Sequence, residues 1–250
     1  GSRGLGDVYK RQGQIVGRPA VSATADGAIR DVSANQSVVT LNAGKRRMRI
    51  GVFGGSFDPV HLGHLWIGEA ATESLKLDRL FWIPTARQPL KPGGAVAGDE
   101  QRVEMLRLAI SGREGHAVDD REVRRQGVSF TIDTIEELQS EYADADLYLI
   151  IGSDSLHSID RWRDPERLLG LVTVAVVQRG GEPAIDFSVL ENLADPHTID
   201  RVARHVIKMP VIEISSSEIR ARVAQGRSIR HLVPRPVEQY ILANGVYAAG

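Results

Sequence analysis

Two histidines three residues apart, His61 and His64, stand in the string GGSFDPVHLGH, residues 54–64. Imidazoles at i and i+3 project from one side of a helix turn. At a helix N-terminus they share the positive dipole end and its free N–H groups, a setting that favours an anion. The glycine pair Gly54 and Gly55 predicts a close backbone approach to a ligand with unusual dihedrals, and Pro59 stiffens the loop. The spacing matches neither the phosphate loop G-x-x-x-x-G-K-[ST] nor the dinucleotide pattern G-x-G-x-x-G. Two histidines at i, i+3 with no third ligand nearby do not make a zinc site. The plainer alternative is a Gly-Pro turn into a helix, its histidines incidental.

A second string, ISSSEIR, residues 214–220, has related chemistry. Ser215 and Glu218 have capping-box spacing. Ser216 and Ser217 add hydroxyls and N–H groups at a second helix start, and the planar fork of Arg220 can clamp phosphate oxygens. Alone, this is a well-capped helix with a solvent-facing arginine. One polyphosphate would explain both helix ends.

These strings need elements to hold them. RIGVF (49–53) is a short apolar run ending in glycines and predicts a buried strand. A helix follows, with Leu62, Trp66 and Ala70 at i, i+4 and i+8. Further strands are predicted at 79–84, 146–152, 171–177 and, as VIEI, 211–214. Helices are predicted at 100–110, 131–142, 217–224 and 236–244, with Gly245 capping the last. Residues 93–98 predict a flexible loop, the charge of DDREVRRQ a solvated face, and 179–204 have weak patterning. Strands alternating with helices imply an α/β fold, Rossmann-like and doubly wound: a mostly parallel sheet with helices on both faces. In such a sheet ligands bind beyond the carboxyl ends of the strands.

The 250 residues are 42% hydrophobic and 25% charged, enough for one sizeable core. A net charge of −1 gives no global case for nucleic acid or a membrane surface, and neither is expected as a partner. With no cysteine there is no disulfide, thiolate catalyst or Cys-ligated zinc. No apolar run approaches the roughly 18 residues of a membrane span, and a cytoplasmic location is expected. Residues 1–47 read as a disordered or non-native extension, and 48–250 as the folded domain beginning at Met48. The sequence leaves a homo-oligomer open.

GVFGGSFDPVHLGH and ISSSEIR together resemble the two motifs of the HxGH nucleotidyltransferase superfamily. Three more stretches, GVSFTIDTIEEL (127–138), IIGSDSLHSIDRW (150–162) and LVPRPVEQYILANGVY (232–247), resemble the bacterial nicotinate-nucleotide adenylyltransferases, and the likeness runs from about residue 49 to 247. The resemblance implies transfer of AMP from ATP, carried with Mg²⁺, to nicotinate mononucleotide, in NAD biosynthesis. It places His61 and His64 in the catalytic role. It places ATP and its phosphates on Gly54, Gly55, Ser56, Phe57, Lys91, Arg179, Ser216, Ser217 and Arg220. It places the mononucleotide on Ser129, Thr131, Asp154 and Trp162, and no protein metal site is implied. Trp162 could instead be core and Asp154 a helix cap; Lys91 could be a solvated lysine. WIPTARQPLK departs from the family's W-x-P-x-x-x-P-P-H-K: Gln88 and Leu90 stand where Pro and His are expected, so that histidine has no counterpart. Nicotinamide mononucleotide as acceptor, dual specificity, and a nucleotide-binding sensor without turnover are the remaining readings.

Overall fold

A computed structural model describes residues 46–89 and 93–249. Of the extension expected over residues 1–47, residues 1–45 lie outside the described residues, as do Leu90 and Lys91. Arg46 and Arg47 are tied to the fold, through Asp78 at 2.6 Å and Asp146 at 3.2 Å.

Among the described residues six parallel strands form one sheet in the order β3-β2-β1-β4-β5-β6. They are β1 (Met48–Gly55), β2 (Arg79–Pro84), β3 (His116–Val118), β4 (Ala145–Gly152), β5 (Thr173–Arg179) and β6 (Val206–Met209). The helices are α1 (Leu62–Leu75), α2 (Asp99–Ile110), α3 (Arg121–Arg125), α4 (Thr131–Glu141), α5 (Ser153–Leu156), α6 (Pro165–Leu171), α7 (Pro196–Arg204), α8 (Ser216–Ala224) and α9 (Arg235–Ala243). The chain builds outward from β1 to β3, then returns to set β4 beside β1, with Val52 opposite Leu149. That reversal opens a crevice at the carboxyl ends of β1 and β4, where a doubly wound sheet binds its ligand.

The strands are apolar on both faces because both are covered. Side chains alternate, so β4 sends Tyr148 and Ile150 to one core and Leu147, Leu149 and Ile151 to the other. Helices α1, α2, α8 and α9 close the first core through Ala71, Leu106, Ile219 and Ile241. Helices α4, α6 and α7 close the second through Ile135, Leu168 and Val202.

The structure corrects several expectations. Trp66 is 54% exposed, so the stripe Leu62, Trp66, Ala70 is not the buried face of α1. That face is built of small residues, because the helix lies close on Trp82: a Cβ added to Gly68 would stand 2.5 Å from the indole. VIEI is not a strand. The last strand is β6, and the chain leaves the sheet at Pro210, which has no N–H to continue the ladder. The loop 93–98 is pinned at its end, since the Asp58 carboxylate accepts the N–H groups of Val96 at 2.7 Å and Ala97 at 3.0 Å. DDREVRRQ is not a solvated face: Asp119 and Glu122 are buried, and Arg121 is held by Asp119 at 2.7 Å and Glu141 at 2.9 Å.

Candidate active site

The glycine pair ends β1, and neither glycine has a positive φ, contrary to expectation. The left-handed residue is Phe57, φ 47°, a conformation that costs a non-glycine residue about 1 kcal/mol or more. It turns the Phe57 ring inward, buried edge-on against Phe53 and His64 at centroid distances of 5.5 and 5.1 Å. Phe57 is thus a prop beneath the histidines. Gly54 is open: a Cβ there would meet no atom within 4 Å, which leaves that space to a ligand.

His61 is the N-cap of α1, and each histidine caps the other. The His64 N–H donates to His61 Nδ1 at 3.4 Å, and the His61 N–H donates to His64 Nδ1 at 3.3 Å. The rings stack at 3.8 Å. With both Nδ1 atoms accepting, each neutral ring carries its proton on Nε2. Burial, then the nearby Arg179 guanidinium, lowers the His61 pKa to about 4. Burial, His61 and Arg179 together hold His64 well below its usual value. Both are therefore neutral donors at pH 7. This narrows the expectation of free N–H groups at the helix end. Besides the His64 N–H taken by His61, the Leu62 N–H donates to the Leu232 carbonyl at 3.0 Å. An anion here would meet imidazole Nε2–H groups.

The second motif is stapled to the first. Ser215 caps α8, accepting the Glu218 N–H at 3.2 Å. The Ser216 hydroxyl donates to the Pro59 carbonyl at 2.9 Å. Arg220 donates to the Asp58 carbonyl at 2.7 Å and to the Ser217 hydroxyl at 3.2 Å. Arg220 is therefore part of the wall, and Ser217 stays exposed at the first turn. Arg179 ends β5, and its N–H donates to Glu182 at 3.1 Å. Glu182 also accepts the Ser153 hydroxyl at 2.9 Å, joining the ends of β4 and β5.

Beside the histidines lies a cavity of about 280 Å³ between β1, β2, β4 and the start of α4. Phe53, Gly54, Ser129, Phe130, Thr131 and Trp162 line it, and the Phe53 ring is 6.3 Å from that of His64. Ser129 is fixed by the loop after β2: its N–H donates to the Arg87 carbonyl at 2.9 Å, and its hydroxyl accepts the Ala86 N–H at 3.1 Å. Trp162 follows a short 3₁₀ turn, Ile159–Arg161, and is half-buried. Arg163 lies 4.7 Å over the Phe130 ring. Asp154 is exposed on α5, is not its cap, and does not line the cavity. Among the candidates, Ser56 contributes its carbonyl to a buried arginine, and Lys91 lies outside the described residues.

Four residues escaped the sequence reading. Asp58, 3% exposed, holds Val96, Ala97 and the Tyr247 hydroxyl at 2.7 Å. Arg102 is fully buried and donates to the Ser56 and Thr85 carbonyls, both at 2.7 Å, joining the β1 and β2 loops. Glu122 and Arg161 line the cavity. Asp58 was visible inside the first motif. Arg102 was visible as a cation beside the apolar face of α2. Glu122 and Arg161 carried no signal beyond their nearness to Ser129 and Trp162.

The sheet order, the switch-point crevice and the two joined motifs at its mouth define a doubly wound α/β protein with a ligand crevice at its strand ends. Residues 52–222 match the cytidylyltransferase-like family. A probable nicotinate-nucleotide adenylyltransferase of Rhodopirellula baltica is 50% identical over 84% of this chain and 96% of its own length. One from Gemmatimonas aurantiaca is 41% identical over 80% and 92%. The solved Plasmodium falciparum nicotinic acid mononucleotide adenylyltransferase, complexed with NaAD, shares the fold at TM-score 0.61 and 18% identity, covering 80% of this chain and 98% of that one. The chain belongs to the cytidylyltransferase-like family and, within it, to the nicotinate-nucleotide adenylyltransferases.

Proposed function

We propose that the chain transfers the adenylyl group of ATP to nicotinate mononucleotide, giving deamido-NAD and pyrophosphate. The observation that carries this reading is the pairing of two neutral histidines at the β1 turn with an aromatic and hydroxyl-lined cavity beside them. Phe53 belongs to both.

A 5′-phosphate oxygen of the mononucleotide attacks the α-phosphorus of ATP in line, and pyrophosphate leaves. The attacking oxygen is already anionic, so no general base is required. The protein aligns two anions and stabilises charge on the transferring group. His61 and His64 donate from Nε2 to phosphate oxygens, with Arg179 adding positive charge. Ser217 and the first turn of α8 face the β and γ phosphates, and Arg220 holds that turn in place. ATP enters as its magnesium complex. Trp162 offers its face to the pyridine ring, and Ser129 and Thr131 offer polar groups to the ring substituent.

Nicotinamide mononucleotide is the second reading. One observation favours it: the buried carboxyl of Glu122 in the cavity wall, which an amide meets without charge repulsion. The test is pyrophosphate release with ATP, Mg²⁺ and each mononucleotide in turn. Preference for the acid supports the first reading. Preference for the amide replaces it with the second. No release with either, despite ATP binding, overturns both.

A further inference from the structure

A carboxyl group forms part of the cavity proposed to receive a ring carboxylate. Glu122 on α3 is 5% exposed and lines that cavity. Its Oε1 accepts the Thr134 hydroxyl at 2.7 Å, while its Oε2 is buried without a hydrogen-bond partner among the described residues. A buried acceptor left unmatched is costly, and more so when charged. Thr134 in turn accepts from Arg125 at 2.8 Å, and Arg125 shares its charge with Asp133 at 3.8 Å and Glu137 at 3.4 Å. Ser129 lines the same cavity, its hydroxyl accepting the Ala86 N–H at 3.1 Å. Asp119, ahead of α3, adds a like charge and is paired with Arg121. Arg161 and Arg163 belong to the cavity lining as well. Burial outweighs the hydroxyls and Arg125, and raises the Glu122 pKa above the usual carboxylate range.

We propose that Glu122 sets the choice between an acid and an amide on the acceptor ring, through its own charge in the cavity wall and the Thr134 hydroxyl that it holds. This rests on the adenylyl-transfer reading above. Ionised, Glu122 holds the Thr134 hydroxyl proton, and its buried charge opposes a ring carboxylate; an amide N–H suits that state. Protonated, Glu122 has no charge, and its own O–H adds a donor to the cavity wall; a ring carboxylate suits that state. The acid acceptor thus binds with uptake of one proton from solvent onto Glu122, and the amide binds without it. Both mononucleotides carry the same 5′-phosphate, so its titration cancels between them.

The experiment measures kcat/KM for pyrophosphate release with both mononucleotides, from about pH 6 to about pH 9, on the full chain. One ionisation changes the ratio by at most about tenfold per pH unit; the acid-to-amide ratio is expected to fall about tenfold or more across the range. In Glu122→Gln the ratio should stay flat near its low-pH value, because the amide still accepts from Thr134 and carries no charge. Calorimetry of each mononucleotide in buffers of different ionisation enthalpy reads the proton directly and needs no variant. A pH-independent ratio in the unaltered protein, an unchanged slope in Glu122→Gln, or equal proton uptake by the two mononucleotides would overturn the proposal. Failure of both to release pyrophosphate would instead sink the adenylyl-transfer reading, and the calorimetric comparison would still decide the role of Glu122.

Discussion

His61, buried, and His64, half-buried, are unusual as a mutually capped pair, and their neutrality has a measurable consequence. In the unfolded chain each takes a proton near pH 6.5. Folded, His61 does so only at about 4, and His64 is displaced in the same direction. Groups with lowered folded pKa values contribute stability that is present above the unfolded value and is lost as pH falls. His116 belongs with them: its pKa is lowered by burial and by Arg113, and its Nδ1 accepts the Trp82 indole N–H at 3.3 Å. Urea unfolding should therefore show stability falling from about pH 6.5 towards pH 4, with His61 alone accounting for about 3 kcal/mol. A flat profile over that window would contradict neutral buried rings. In catalysis, His64→Ala removes one charge-stabilising donor and should lower kcat about 100-fold or more with little change in the KM for ATP. Turnover near that of the unaltered protein would remove His64 from the reaction.

The strands and helices place these side chains by their ends. Helix α1 holds the histidines because β1 stops at the glycine pair and the chain must turn over Phe57. Helix α2 contributes from beneath, through Arg102, whose guanidinium holds the carbonyls of two different loops. This fully buried cation, ion-paired among the described residues with Asp99 at 2.6 Å, persists because the two carbonyls take its Nη donors, although its Nε has no partner among the described residues. Arg102→Met keeps the apolar stem and removes those donors, leaving two carbonyls without partners. The expected loss is about 3 kcal/mol, read as a lowered urea midpoint, with a raised KM for the mononucleotide because Thr85 lines its cavity. An unchanged midpoint would mean that the carbonyls find other donors.

Across the whole chain, the two motifs are brought together by contacts that span most of its length. Ser216 reaches Pro59, Arg220 reaches Asp58, and Tyr247 near the C-terminus donates to the same Asp58 carboxylate. That carboxylate also pins Val96 and Ala97, on the loop that follows Lys91. One aspartate thus ties the β1 turn, this loop and the C-terminal segment. Tyr247→Phe deletes one donor to a buried carboxylate and should cost about 2 kcal/mol. Amide exchange at Val96 and Ala97 should quicken with it, while exchange in the β4 core should follow only the global change. If those two amides exchange as before, the loop is held independently of the C-terminal segment.

The sequence by itself determined the sheet class, most of its strands, and the pairing of a histidine turn with a serine-capped helix. Such information is local: apolar runs, glycine stops and cap residues declare themselves within a few positions. It misread the face of α1, because close packing on Trp82 through Gly68 reverses the rule that the largest apolar side chain points inward. It also placed the last strand a few residues too late, because it weighed β-branched content above the stop at Pro210. Only the tertiary structure decided that Phe57 is a prop, that Arg220 belongs to a wall, and that Asp58, Arg102 and Glu122 are buried. Those are matters of which charged group meets which distant carbonyl or hydroxyl. A charged residue reads as solvent-facing in sequence because an uncompensated burial would be prohibitive. The compensation comes from partners as far as 189 residues away in the chain, and only the folded chain brings them together.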